Sequence, residues 1–131
     1  MLGATFSYDG WAQPLAKFAI DLKNAVVERQ DVHEESGIMG FFVSNRDPEG
    51  SFDPEAVTLA TRDVWQNLAE VNEGALSIVI GSVLGNKCTI SAPKCAKKEV
   101  AWGDRDGIAT YDITFGLYRT AGNDEISIEF E

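Results

Sequence analysis

The sequence predicts a mainly β protein, a small antiparallel β-barrel or β-sandwich flanked by one α-helix. Three observations favour this fold class. Apolar and polar residues alternate with a period of two in several short segments. Glycine, proline, asparagine and aspartate separate those segments. A helical period of about 3.6 residues supports one helix, from about Thr61 to Glu73.

Length and charge narrow the possibilities. The 131 residues fit a single domain, 1–131, with enough chain to bury a core. The formal net charge is −10, from 21 acidic and 11 basic residues. Such a surface repels phosphate, so sequence-specific nucleic-acid binding is not expected. Solubility explains the charge, and so does a need for DNA to pass without adhering; the charge alone does not separate the two.

Export and membrane insertion are not expected either. No apolar run approaches the length of a membrane span. The first residues lack the basic start and apolar centre of a signal peptide.

The clearest strand pattern lies near the C-terminus. A turn at Gly103-Asp-Arg-Asp-Gly107 precedes a segment with one strongly apolar face. That face carries Ala109, Tyr111, Ile113, Phe115 and Leu117. After Gly122, Asn123-Asp124 is expected to reverse the chain into a last strand containing Ile126, Ile128 and Phe130. The sequence therefore predicts an antiparallel hairpin here.

The N-terminal third reads as short strands and loops. A strand at residues 5–8 ends at Asp9-Gly10, and a half-buried strand begins at Lys17, with a bend or bulge expected at Asn24. The polar segment between residues 29 and 37 has the composition of an exposed loop, and it contains the single histidine, His33.

The next strands flank a proline-glycine turn. Residues 38–44 are apolar and aromatic, and residues 51–59 are expected to be the return strand. Pro54 predicts that this return strand lies at an edge or is irregular, because proline donates no ladder hydrogen bond.

The predicted helix has a start and a stop signal. Thr61 is expected to be its N-cap, Asp63 places negative charge in the first turn, and Gly74 ends it. The helix should pack on the open face of the sheet.

The remaining strands are expected at residues 75–83, 87–91 and 94–102. Gly85-Asn86 forms the first turn, and Pro93 interrupts the second strand. The last strand carries a lysine cluster, which favours protection of a sheet edge over contact with an acidic neighbour. Its members are Lys94, Lys97 and Lys98.

No cofactor or metal site is predicted. Cys88 and Cys95 are interpreted as free thiols; a local disulfide is also conceivable, but zinc would need more ligands than these and the distant His33. Asp104 and Asp106 are better explained as turn residues than as an acid–base pair or calcium ligands. The carboxylates of residues 47–53 are likewise explained by a turn, because Pro48 and Gly50 lie among them. We therefore predict that the protein is not an enzyme.

Six short segments, taken in order, resemble the tail tube (major tail) proteins of tailed bacteriophages. They are non-catalytic and together span nearly the whole chain. They are Phe18-Ala-Ile-Asp-Leu-Lys-Asn24, Arg46-Asp-Pro-Glu-Gly-Ser-Phe-Asp-Pro-Glu-Ala56, Thr58-Leu-Ala-Thr-Arg-Asp63, Ser91-Ala-Pro-Lys94, Gly103-Asp-Arg-Asp-Gly-Ile-Ala-Thr-Tyr-Asp112 and Asn123-Asp-Glu-Ile-Ser-Ile-Glu129.

The resemblance implies a fold like that of phage tail tube and type VI secretion tube subunits. It also implies a structural virion protein of the phage tail, assembled in the bacterial cytoplasm from copies of itself together with other tail proteins. Stacked hexameric or pseudo-hexameric rings would surround a channel that carries DNA. The matching stretch looks like the C-terminal half of a longer two-domain subunit, so a ring of six single domains and a ring of three double ones are both open.

Two polar residues within predicted strands, Asp21 and Asp112, are candidates for the channel wall, although plain solvent exposure explains either one equally well. The leading hypothesis is thus a self-assembling tail tube subunit. The alternatives are a small β-barrel module that binds a ligand or a protein, and, more remotely, a hydrolase using Asp104 or Asp106.

Overall fold

One curled antiparallel sheet forms the body of the protein, and a separate two-stranded sheet extends from it. The computed structural model describes residues 3–131. Its elements, in chain order, are β1 (Thr5–Tyr8), β2 (Leu15–Asp21), β3 (Asn24–Gln30), β4 (Ile38–Arg46), β5 (Glu49–Pro54), α1 (Val64–Ala69), β6 (Glu73–Ile80), β7 (Cys88–Arg105), β8 (Ile108–Leu117) and β9 (Ser127–Phe130).

The main sheet has the order β1-β6-β7-β8-β5-β2, and β9 pairs with β7 outside this path. The sheet curls so that its two edge strands approach each other. The centroids of the Phe6 ring on β1 and the Phe18 ring on β2 are 5.7 Å apart. The result is a half-barrel with one short helix. This confirms the predicted fold class.

The core lies on the concave face of the half-barrel. The alternation predicted for β8 is confirmed, since Tyr111, Ile113 and Phe115 are almost fully buried. Neighbouring strands contribute Phe52, Leu76 and Ile78, all of them 1% exposed. These side chains form one continuous apolar cluster.

Helix α1 covers this concave face, as predicted, but it is shorter than predicted. It begins after Asp63, whose Oδ1 accepts hydrogen bonds from the backbone N–H groups of Trp65 (3.1 Å) and Gln66 (2.9 Å). The N-cap is therefore Asp63 and not Thr61. The helix ends at Glu70, and the left-handed φ of 53° at Val71 turns the chain away. Gly74, the predicted stop, already belongs to β6.

The predicted return strand pairs differently from expectation. Residues 38–46 pair with β3, whereas β5 lies between β8 and β2. The pair β2–β5 and the pair β3–β4 belong to separate sheets but follow each other in the same register, since Asp21 lies opposite Glu49 and Asn24 opposite Arg46. Residues 47–48 thus form a kink between β4 and β5 and not a reversal of the chain. The bulge expected near Asn24 is present as a register shift after Ala25.

Pro54 does not mark an edge strand. It is the last residue of a central strand, opposite Leu15, where the register of β2 shifts. The alternative prediction of an irregularity at Pro54 is correct.

The predicted C-terminal hairpin is wrong. β9 does not pair with β8; it continues along the same edge of β7, with Ser127 opposite Ser91 and Phe130 opposite Cys88. β8 already occupies this edge from Cys95 onward and is itself covered by β5 on its other side. Because both edges of β8 are paired, β9 pairs instead with the first part of β7, and residues 118–126 form an excursion between β8 and β9.

Pro93 does not interrupt its strand, so the two strands predicted at residues 87–102 form one, β7. The register between β6 and β7 shifts where Leu76 lies opposite Ala92 and Gly74 opposite Cys95. Pro93 therefore sits in a bulge, where a missing N–H donor costs little.

One member of the lysine cluster is buried. Lys97 is 4% exposed, and its Nζ lies 4.8 Å from the centroid of the Tyr8 ring. It makes no ion pair with any other residue in the range 3–131. Burial, and then the nearby Arg62 guanidinium, lowers the pKa of Lys97 to about 8. Edge protection is thus not the role of this lysine.

Replacing the buried ammonium should stabilise the fold. The pKa of Lys97 is about 8 in the folded chain, against 10.5 for a freely solvated lysine in the unfolded chain. Below pH 8 the folded chain therefore has to bury a positive charge. Lys97→Met should therefore raise the free energy of unfolding, on the order of 3 kcal/mol at neutral pH. The gain should shrink as the pH rises from 8 towards 10.5, because folded Lys97 then becomes neutral.

Urea unfolding of both proteins at about pH 7 and about pH 10 checks this. The raised pKa values of Tyr8 and Cys95 make both proteins less stable at high pH, so the comparison uses the difference between the two proteins at each pH. Lys98→Met, at an exposed lysine paired with Glu49, is the matched control and should not stabilise. A destabilised Lys97→Met at neutral pH would contradict the account.

A candidate assembly surface

The projecting hairpin, residues 24–46, is the most unusual surface of the protein. Within residues 3–131, β3 and β4 form strand pairs only with each other. Every residue of both strands is exposed except Gly40, which is half-buried. The exposed apolar side chains include Val26 (62%), Val27 (42%), Met39 (50%), Phe41 (69%), Phe42 (49%) and Val43 (48%).

Apolar side chains occupy both faces of the projecting hairpin. Phe41, Phe42 and Val43 are consecutive, so they alternate between the two sides of the strand. An open cavity of about 560 Å³ is lined by Met39, Phe41 and Phe42 together with Arg29 and Gly40. A two-stranded hairpin is marginal in water by itself, and contiguous exposed apolar surface marks interaction sites. This surface is therefore suited to contact another polypeptide.

The tip of the projecting hairpin is polar. Two backbone hydrogen bonds close it. The N–H of Asp31 donates to the carbonyl of Gly37 (3.1 Å), and the N–H of Gly37 donates to the carbonyl of Glu34 (2.9 Å). The side chain of His33 is 90% exposed and contacts only Asp31 among the described residues. This confirms the predicted exposed loop and its exposed histidine.

The base of the projecting hairpin is held by the excursion between β8 and β9. Arg46 Nη2 donates to Asn123 Oδ1 and lies 3.2 Å from Oε1 of Glu125, a carboxylate that is only 8% exposed. A cleft of about 840 Å³ separates the base from this excursion. The contacts fix the direction in which the hairpin leaves the sheet.

The excursion is itself organised by one aspartate. The Asp124 carboxylate accepts hydrogen bonds from the N–H groups of Thr120 (3.0 Å), Ala121 (3.0 Å) and Gly122 (3.2 Å). These donors, that of Ala121 first, hold the pKa of Asp124 below its ordinary value. The loop is thus closed on itself and presents Glu125 to Arg46.

The two candidate wall residues lie on the convex, solvent-facing side of the sheet. Asp21 is opposite Glu49, which is opposite Gly116, and Asp112 lies four residues from Gly116 on the same face of β8. Both aspartates are exposed. Asp112 is central in β8, but Asp21 ends β2 and accepts a hydrogen bond from the backbone N–H of Lys23 (2.9 Å). The fold therefore brings them to one face.

That convex face carries charges of both signs. Glu49 pairs with Lys23 and Lys98, and these hydrogen bonds, that of Lys23 first, lower the pKa of Glu49 to about 2. Arg105 contacts Asp53 (3.8 Å) and Glu55 (3.3 Å). The face thus carries exposed acidic residues and several ion pairs.

The two aspartates considered for catalysis lie at the end of β7 and in the turn that follows it. Asp104 Oδ1 accepts a hydrogen bond from the N–H of Gly107 (3.2 Å), and Asp106 has a turn conformation with φ 54°. Cys88 and Cys95 are free thiols on one strand, roughly 20 Å apart at its rise per residue. In the described part of the chain, no three or more metal-ligating side chains form a cluster. Nor is any helix there long and apolar enough to cross a membrane.

Comparison with solved structures shows which proteins share this fold. A chain of the sheath–tube complex of an extracellular contractile injection system ("PVC", extended state) has a TM-score of 0.67 at 11% identity, over 98% of this chain and 88% of that one. The cap that terminates the tube of the anti-feeding prophage gives 0.66 at 10% identity, over 98% and 88%.

A third similar structure is the tail of an empty GTA particle, refined with C6 symmetry. Its TM-score is 0.55 at 14% identity, over 89% of this chain and 81% of that one. No protein-family model matches the sequence, and no curated protein matches it significantly. At these identities the shared property is the fold. The chain thus has a phage-tail-like tube fold.

Residues 24–46 were not predicted from the sequence to form an exposed interaction surface. The signal was available, because residues 41–43 are three apolar residues in a row. A strand with one solvated face alternates, whereas this one has no polar face. Such a strand must be covered on both sides or belong to an interface.

Removing the Arg46 guanidinium at the base of the hairpin should lower the free energy of unfolding, because the buried Glu125 carboxylate then has no cationic partner. Arg46→Met leaves this carboxylate without its partner, so we expect a loss of about 1–2 kcal/mol in the free energy of unfolding. Arg46→Met combined with Glu125→Leu should recover most of the loss. Urea unfolding of both variants measures this, and equal destabilisation of the single and the double variant would refute the role of the pair.

Proposed function

We propose that the protein is a tail tube subunit, or one domain of such a subunit, which assembles with copies of itself into stacked rings. The projecting hairpin carries this proposal. Its apolar faces are uncovered in a single chain, and covering them requires another polypeptide. The fold supports the same function, because it is shared with chains from a sheath–tube complex, a tube-terminating cap and a tail.

Ring assembly would use the hairpin together with open strand edges. β1 and β2 end the main sheet, and each has an unpaired side among the described residues. A strand from a neighbouring copy can pair with such an edge. We propose six copies of the domain in each ring, contributed by six chains or by three longer two-domain chains. The C6 symmetry of the similar tail supports this number.

The proposed channel conducts DNA without binding it. A net charge of −10 disfavours adhesion of phosphate. Asp21 and Asp112 are proposed to face the channel, from the convex side that carries the ion pairs of Glu49 and Arg105. The subunit would act passively, as a component of the virion tail alongside other tail proteins, without catalysis, a cofactor or membrane contact. Its assembly would take place in the bacterial cytoplasm.

A charge on the projecting hairpin should block assembly. Phe41 is 69% exposed, so Phe41→Asp should leave the isolated chain folded. It should, however, prevent burial of this side chain between neighbouring copies. Full burial of such a side chain contributes about 1.5–3 kcal/mol, which predicts at least about a tenfold rise in the concentration needed for assembly. Sedimentation velocity and electron microscopy over a concentration series measure this.

The matched control is Leu59→Asp, at a residue that is 63% exposed and lies outside the hairpin. It should assemble as the wild type does. A wild-type chain that remains monomeric at every concentration would overturn the proposal and favour a small binding module instead.

The channel-wall assignment has its own test. In assembled tubes, Asp112→Cys should react with a small maleimide but resist a maleimide linked to a bulky polymer, and wild-type tubes give the reaction of Cys88 and Cys95 that is subtracted. Glu70→Cys, at the exposed end of helix α1, is the control and should react with both reagents. Rapid reaction of residue 112 with the bulky reagent in intact tubes would place it outside the channel.

A further inference from the structure

A second uncovered apolar surface lies at the end of the half-barrel where β7 begins. Ile78, Ile90 and Ile128 are cross-strand neighbours, and so are Ile80, Cys88 and Phe130. Because Ile78 belongs to the core, the others lie on the same concave face. We call the surface of Ile80, Cys88, Ile90, Ile128 and Phe130 the C-terminal groove.

The C-terminal groove is open in a single chain. Phe130 is 81% exposed and Ile128 is 50% exposed, although each continues the face of the buried core. A cavity of about 380 Å³ lies against Phe130, Ile80 and Cys88. The adjoining loop adds Leu84, which is 88% exposed. Apolar side chains in a concave surface are typical of a site that receives an apolar partner.

The direction of the projecting hairpin explains why the groove is open. The ladder of β2 and β5 would continue over this end of the concave face, but beyond residues 22–23 and 47–48 it becomes the hairpin. Arg46 holds the base of the hairpin against Asn123 and Glu125. The groove and the segment that could cover it are therefore separated within one molecule.

We propose that the C-terminal groove of one copy receives the projecting hairpin of the next copy. This inference rests on the proposed function and names the surface to which the hairpin binds. The two surfaces are different and both are apolar, as a head-to-tail contact that generates rings or filaments requires. β9 pairs only with β7 among the described strands, so its outer edge is also free to pair with a hairpin strand.

A mixing experiment with two variants tests the proposal. Phe41→Asp keeps an intact groove, and Phe130→Asp keeps an intact hairpin. Each variant alone should stay monomeric at concentrations where the wild type assembles. A 1:1 mixture should form a heterodimer of twice the monomer mass, because one intact hairpin then meets one intact groove and the chain of contacts stops there. Sedimentation velocity detects this species.

The outcomes separate this inference from the proposed function. If the wild type assembles and Phe130→Asp assembles equally well, the groove is not the binding surface, and only this inference fails. If both folded variants are monomeric and their mixture is too, the two surfaces do not bind each other, and the inference is overturned. A monomeric wild type would overturn the proposed function with it.

Circular dichroism should verify that each variant is folded. Ile128→Asp, at a groove residue of β9 that is 50% exposed, is a second groove variant and should behave as Phe130→Asp does. Leu59→Asp is again the control and should assemble normally, both alone and in mixtures.

Discussion

The constraint on which the structure depends is that a two-stranded hairpin cannot bury apolar side chains on both of its faces by itself. In this protein the ladder of β2 and β5 continues into such a hairpin, away from the half-barrel. The same divergence leaves the concave face uncovered at the start of β7, where Phe130 is exposed. One feature of the topology therefore creates two uncovered apolar surfaces, and the proposed association of copies would cover both.

The rest of the domain is built to keep the hairpin in place. The aromatic side chains of β5 and β8 fill the core of the half-barrel, and Asp124 closes the loop that carries Glu125 to Arg46. This arrangement holds an unfavourable surface outward instead of letting it fold back onto the core. The buried Lys97 is a second place where the fold accepts a cost. We have no physical account of what that lysine provides.

Patterns within a single strand could be predicted from the sequence. The alternation of β8 and the polar loop around His33 follow from local chemistry. A turn was also predicted correctly before β8, but it occupies only Asp106 and Gly107, because residues 103–105 still pair with β8. Pairing between distant strands could not be predicted, because alternation shows which face is apolar and not which edge is free. β9 has the pattern of a hairpin partner for β8, yet both edges of β8 are already paired and β9 pairs with β7. For the assembly surface, the consecutive apolar residues 41–43 were visible, but their exposure depends on where the ladder bends.

The most direct test of the account follows hydrogen–deuterium exchange of the backbone amides in residues 24–46 as the protein concentration is raised. The account predicts fast exchange in the dilute monomer and increasing protection as assemblies form, while the amides of β8 remain protected throughout. Contradiction would come from hairpin amides that are already protected in the dilute monomer, or that stay unprotected within assembled particles.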